Sequence, residues 1–177
     1  MAGSRKKVLL RTLDDAILPG YLAVSGFVGQ ANGVKTVPLL DLEGRVSPVP
    51  LSSIRSIAFV RDFNLDDKLD PERLTRRTFL ARPRSEGLWV RLILADSSIF
   101  EGLAPLDMTL VDGLLGDRGI FLIPPDIRSN TQRIFIPRSA IHDIQFLAVI
   151  TTPSKTKPIQ PESQTDQAPL FPDSQPR

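Results

Sequence analysis

Val8-Leu9-Leu10-Arg11-Thr12-Leu13-Asp14-Asp15-Ala16-Ile17-Leu18-Pro19-Gly20 and Val90-Arg91-Leu92-Ile93-Leu94-Ala95-Asp96-Ser97-Ser98-Ile99-Phe100-Glu101-Gly102 align without a gap. Val8/Val90, Leu10/Leu92, Asp14/Asp96, Ile17/Ile99 and Gly20/Gly102 are identical, five of thirteen positions. Ordinary residue frequencies give roughly one match over such a stretch. Further along, residues 49–60 align with 136–147, and Pro50/Pro137, Ser52/Ser139, Ile54/Ile141, Ile57/Ile144 and Phe59/Phe146 match. The second offset exceeds the first, so the extra residues fall between the two blocks, where a lengthened loop belongs. The order and spacing of both blocks describe one module present twice.

Each copy reads as short strands. Residues 8–13 and 88–94 alternate roughly between apolar and polar before an aspartate-containing turn. Residues 17–23 and 99–104 return, each carrying a glycine (Gly20, Gly102) that marks a sharp bend or bulge inside a strand. Residues 37–40 and 119–123 are apolar third strands. Residues 46–49 and 133–136 are fourth strands, each stopped by a proline. Pro50-Leu51-Ser52-Ser53-Ile54 and Pro137-Arg138-Ser139-Ala140-Ile141 read as single helical turns leading into last strands at 54–60 and 141–150. The expected class is all-β: two tandem five-stranded small barrels of SH3-like or Sm-like type.

Between the copies the texture changes. Asp70-Pro71-Glu72 places an N-cap, a first-turn proline and an acidic first turn ahead of Arg73, Leu74, Arg76, Arg77, Phe79 and Leu80, with Pro83 as a stop. This pattern predicts a helix over 71–82 within a charged linker. The expected division is a first barrel over 1–62, a partly helical linker over 63–87, a second barrel over 88–150 and a tail over 151–177. In the tail, prolines at 153, 158, 161, 169, 172 and 176 sit among Gln, Ser, Thr and Asp. That composition buries too little apolar surface to offset the entropy of ordering, and predicts disorder.

Composition narrows the function classes. The chain has 177 residues, 41% hydrophobic and 24% charged, enough for a real core. No apolar run approaches the ~20 residues of a membrane-spanning helix, and residues 8–10 after Arg5-Lys6-Lys7 are too few for a signal peptide. Cysteine is absent, which removes disulfides, thiolate nucleophiles and cysteine-bound zinc. These features lead to an expected cytoplasmic location. The net charge of +2 argues for no particular partner.

The second copy resembles a known family. Ile99-Phe100-Glu101-Gly102-Leu103, then Asp107, then Arg133-Ile134-Phe135-Ile136-Pro137-Arg138-Ser139-Ala140-Ile141 is similar to the Sm-like family, in particular its bacterial Hfq branch. The resemblance covers about 55 residues of each copy. It implies a bent five-stranded barrel, ring assembly through paired strand edges, and binding of single-stranded RNA. Gly102 and Asp107 stand one residue closer than is usual in the family. Ser139 replaces the histidine of the late motif, and Leu51-Ser52-Ser53 in the first copy lacks its basic residue. The fold carries over better than RNA binding, since function belongs to sites.

Candidate chemistry is sparse. His142, the lone histidine, aligns with Arg55 and reads as an exposed strand residue, with no second histidine or cysteine to complete a metal or catalytic set. Asp14 and Asp96 read as turn residues that bond nearby backbone. The run from Gly113 to Gly119 lacks the lysine and the strand–loop–helix setting of a phosphate loop, and reads as a hairpin. Arg73, Arg76, Arg77, Arg82 and Arg84 balance the acidic stretch beside them. Arg128, Arg133 and Arg138 form a second basic group that, like the linker run, is suited to phosphates, with Asn130 and Gln132 available to read bases or sugars. In the tail, which reads first as a solubilising segment, Gln167, Leu170 and Phe171 offer the alternative of a short docking peptide, with a spacing similar to peptides that bacterial proteins insert into the DNA sliding clamp.

The expected function is therefore a non-enzymatic binding or adaptor protein without cofactor or metal. It would contact a protein partner, or itself, through strand edges. The alternative is a single-stranded RNA-binding protein using Arg128, Asn130, Arg133 and Arg138. An enzyme built from undistinguished carboxylates is the remaining alternative.

Overall fold

Strand β1 (Arg5–Thr12) turns at Asp14-Asp15 into β2 (Ile17–Ala23) in the computed structural model, which describes residues 3–126 and 128–151. The first half continues with β3 (Gly29–Ala31), β4 (Val34–Leu40), β5 (Val46–Pro50), a 3-10 turn (Leu51–Ser53) and β6 (Ile54–Val60). The second half holds β7 (Gly87–Leu94), β8 (Ile99–Ala104), helix α1 (Thr109–Leu115), β9 (Gly119–Leu122), β10 (Thr131–Pro137), a 3-10 turn (Arg138–Ala140) and β11 (Ile141–Ile150). The chain is predominantly β, as its alternation requires. Both 3-10 turns begin after a proline, Pro50 and Pro137, each with φ −59°. Proline fixes φ near that value and cannot extend the ladder, so the same residue stops both strands and starts both turns.

The two halves share a sheet. Eight strands run β3-β4-β2-β1-β6-β10-β9 with β5 attached to β4, and this sheet curls into a half-barrel. A second sheet runs β11-β7-β8, and a bridge between Leu103 and Ile123 ties β8 to the end of β9. The seam between halves is the antiparallel β6–β10 pair, with Phe59 opposite Arg133, Ala58 opposite Ile134 and Ile57 opposite Phe135.

Val8 and Leu10 of β1 and Ile57 and Phe59 of β6 face a core that also takes in Phe135 from the second half. Leu9, Ala58 and Val60 point the other way and are covered by Ile17 and Phe63. Both faces of β1 and β6 are therefore filled. The second core gathers Val90, Leu92, Phe100, Ile120, Leu122 and Ile134. The strand glycines are demanded by close approach: a Cβ on Gly20 would lie 2.5 Å from the Leu40 carbonyl, and one on Gly102 2.7 Å from Leu122 Cβ.

Three sequence expectations are corrected. The helix over 71–82 does not form; Arg73 N–H closes one turn onto the Asp70 carbonyl at 3.0 Å, and Arg73 then takes φ 49°. The backbone beyond is claimed by tertiary partners, with Glu101 N–H donating to the Arg77 carbonyl at 2.7 Å and Phe79 N–H donating to Glu101 at 2.9 Å. A helical ladder cannot form on groups already paired elsewhere. The run from 113 to 119 is not a hairpin. Its first residues belong to α1, and a Cβ on Gly113 would sit 2.1 Å from the Gly119 carbonyl. The short strand β3 was not expected. Asn32 (φ 50°) and Gly33 (φ 78°) form the tight turn joining it to β4, and Asn-Gly is the sequence signal for that turn. The tail, with Gln167, Leu170 and Phe171, lies outside the described residues.

Candidate functional site

The β6 and β11 strands occupy equivalent places. Val8 opposes Phe59 and Leu10 opposes Ile57, just as Val90 opposes Phe146 and Leu92 opposes Ile144. Phe59 is 2% exposed, whereas Phe146 is 58% exposed. The difference lies in the neighbour. β6 is paired on its outer edge by β10, while among the described residues β11 pairs β7 alone. Leu147 and Val149 are exposed beside Phe146, so β11 presents an unpaired backbone edge flanked by apolar side chains.

The direction of the backbone groups follows from two hydrogen bonds. Arg61 N–H donates to the Asn130 carbonyl at 3.0 Å, so alternate residues Phe59 and Ile57 also turn their amides toward β10. Arg138 N–H donates to the Arg118 carbonyl on the β9 side, which leaves Phe135 facing β6. By equivalence, Ile144 and Phe146 direct their N–H and C=O groups into the open on β11.

The other open edges differ. β3 is three residues long and has no buried residue. β5 carries Pro48 opposite Pro38 and Pro50 opposite Thr36. Two opposed prolines cannot exchange N–H bonds, so their nitrogens point away from each other and Pro48 faces the free edge. Pro50, two residues on, does the same. Prolines on an outward edge remove donors and protect it from pairing. The sequence carries this signal in the alignment of Pro48 with Phe135.

Each candidate nucleic-acid residue has a definite place. Arg133 stacks over the rings of Phe59 at 4.3 Å and Phe121 at 4.5 Å and donates to the Val24 carbonyl. Burial holds its guanidinium below the ordinary arginine value. Asn130 accepts from Asp62 N–H at 2.9 Å and donates to the Asp62 and Pro71 carbonyls, pinning the linker. Arg138 donates to the Ile141 carbonyl at 2.9 Å and closes its own turn. Arg128 is exposed, with its backbone N–H on Asp126. The side chains of Asn130, Arg133 and Arg138 are thus each engaged in a separate structural contact. His142 is exposed on β11.

Ionic contacts fasten the halves and the linker. Buried Glu72 takes a two-pronged contact from Arg11, at 2.8 and 3.1 Å. Burial would lower the Arg11 value, but the Glu72 hydrogen bond and charge outweigh it and raise it. Buried Glu101 holds Arg91 at 2.7 Å and also accepts from Trp89 and from Phe79 N–H. Arg55 reaches Asp15 in one half and Asp96 in the other. Asp96 feels some burial, which would raise its pKa; the Ser98 hydrogen bonds and the Arg55 charge outweigh it and hold the carboxyl below its usual range. The cleft between the halves, about 500 Å³, is lined by these paired groups, Arg11, Asp15, Arg55 and Glu72, together with Lys68, Asp70 and Arg77.

Residues 4–148 match the family of unknown function DUF6982, and the chain belongs to that family. Neither the curated proteins nor the solved structures give a match. No helix among the described residues is long and apolar enough to cross a membrane.

Proposed function

We propose that this DUF6982 chain is a non-enzymatic binding protein that works by adding a partner's strand to the free edge of β11. The observation that carries the reading is the contrast between Phe59, buried where β10 covers β6, and Phe146, 58% exposed where no described strand covers the outer edge of β11. Strand addition draws its affinity from main-chain hydrogen bonds and its selectivity from alternate side chains, and β11 offers both. In the same reading the halves are tandem small barrels of Sm-like or SH3-like type. Supporting this, the last strand returns to the first in each half, giving the orders β6-β1-β2-β4-β5 and β11-β7-β8 with β9-β10. Single-stranded RNA binding has less support, because Asn130, Arg133 and Arg138 already serve internal contacts.

Phe146→Lys tests the reading, since that side chain contributes little to the fold. With circular dichroism unchanged, the variant should lose the protein contacts that the wild-type chain makes in native lysate, and nuclease should not affect them. Contacts that survive Phe146→Lys, or that nuclease releases, would overturn it.

A further inference from the structure

We infer that the partner at this edge is a second copy of the chain, joined β11 to β11 in an antiparallel two-fold pair. The inference rests on the reading of β11 as the working edge and adds the identity of its occupant. Head-to-tail assembly through the first half's longer outer strand would place β11 against β5. There Pro48 would stand opposite Ile144 and Pro50 opposite His142, by equivalence with the β6–β10 register, and neither proline has an N–H to give. β11 has no such defect. A two-fold pair uses one surface twice and closes on itself, leaving no new edge.

The geometry fixes the register. Bulges interrupt the β11–β7 ladder between Ile141 and Asp143 and between Phe146 and Ala148, which leaves Asp143 to Phe146 as the regular stretch. The equivalent stretch of β6, Ile57 to Phe59, is the one that pairs β10. The outward groups of Ile144 and Phe146 are satisfied when Ile144 of one copy faces Phe146 of the other. Gln145 then lies across the axis from its own counterpart, in a pair without mutual hydrogen bonds. Asp143 meets Leu147 of the second copy, so no like charges are opposed. The exposed ring of Phe146 gains the side chain of Ile144 as a cross-strand neighbour.

The chain contains no cysteine, so a single introduced thiol reports the register cleanly. Opposed residues in a pair of this kind have Cα atoms about 4.5 Å apart, within the range that a disulfide spans. Full-length Gln145→Cys should form an intermolecular disulfide on mild oxidation, at concentrations where Ser47→Cys does not. Sedimentation of the wild-type chain should show a monomer–dimer exchange. Ile144→Pro removes an outward donor that the β11–β7 ladder does not use. It should weaken the dimer at least about tenfold, because symmetry deletes two hydrogen bonds at once.

A wild-type chain that stays monomeric at high concentration overturns the pairing. So does a disulfide that forms only when Gln145→Cys and Ser47→Cys are combined, which would mean head-to-tail assembly. Amide exchange gives a third arm: protection of Ile144 and Phe146 in the dilute monomer would mean that the chain covers its own edge. If the chain is monomeric but Phe146→Lys still abolishes capture of a foreign protein, self-pairing falls and the strand-addition reading stands. A dimer untouched by both Ile144→Pro and Phe146→Lys removes both.

Discussion

Phe59 and Phe146 close the same position in two copies of one module, yet one is a core residue and the other is largely in water. Each lies opposite a valine of 0% exposure, Val8 or Val90, on the face of the sheet that points to the core. What separates them is the strand on the far side. Around Phe59 the second half supplies Phe121, Phe135 and the Arg133 guanidinium, with Phe27 completing the cluster. Around Phe146 the described residues supply nothing comparable. Burial here is a property of who stands next to the strand.

Exchanging the edge residues should give the largest effect. Phe135→Pro transplants the Pro48 condition into the seam, removing a core ring and a donor that faces β6. It should cost about 5 kcal/mol or more, seen as loss of cooperative unfolding by the two halves together. Retention of one sharp urea transition at the wild-type midpoint would show that the seam is not what couples them.

Next comes the direct test of the paired phenylalanines. Phe59→Ala should cost about 3–5 kcal/mol. Phe146→Ala in dilute solution should stay within about 0.5 kcal/mol of wild type. Equal losses in chemical denaturation would break the comparison, because they would mean that Phe146 is covered in solution.

Arg133→Met keeps the aliphatic cover over Phe59 and Phe121 but deletes the guanidinium. It should cost about 1–2 kcal/mol through the lost stacking and the lost bond to the Val24 carbonyl. A neutral or stabilising result would reduce Arg133 to a lid and leave its charge free for another purpose.

The smallest effect is expected from acid. Asp96 has a folded pKa held below its unfolded value. Its contribution is present above an unfolded pKa of about 3.9 and lost as pH falls through the lower folded value. The link from Arg55 to the second half should therefore loosen only in strongly acid solution. Urea midpoints should drop between pH 5 and pH 2.5 by less in Asp96→Asn than in the wild type. An identical drop would assign the acid sensitivity to other carboxylates.

Much of the architecture was legible locally. Alternation gave the strands, and Pro50 and Pro137 gave the two 3-10 turns, because each follows from the residue itself; Gly20 and Gly102 were legible as bend or bulge positions, whereas their ladders run without a register shift and what they permit is a close approach. The linker misled. Its capping residues are good helix starters, but Glu101 and Arg11 offered the segment tertiary partners that helix propensity could not outweigh. The edge site was half legible: Pro48 and Pro50 mark β5 as an outward, blocked edge in sequence alone.

Sequence by itself determined the repeated module, its strand periodicity and the residues at its corners, since those depend on backbone preferences spanning a few positions. Only the tertiary structure decided that β10 pairs the outer edge of β6 and that, among the described residues, no strand pairs the outer edge of β11. Ile57-Ala58-Phe59 and Ile144-Gln145-Phe146 carry the same outer residues and differ only in the middle one, apolar Ala58 against polar Gln145. Which of them is buried depends on where a distant segment comes to rest, and a local pattern holds no record of that.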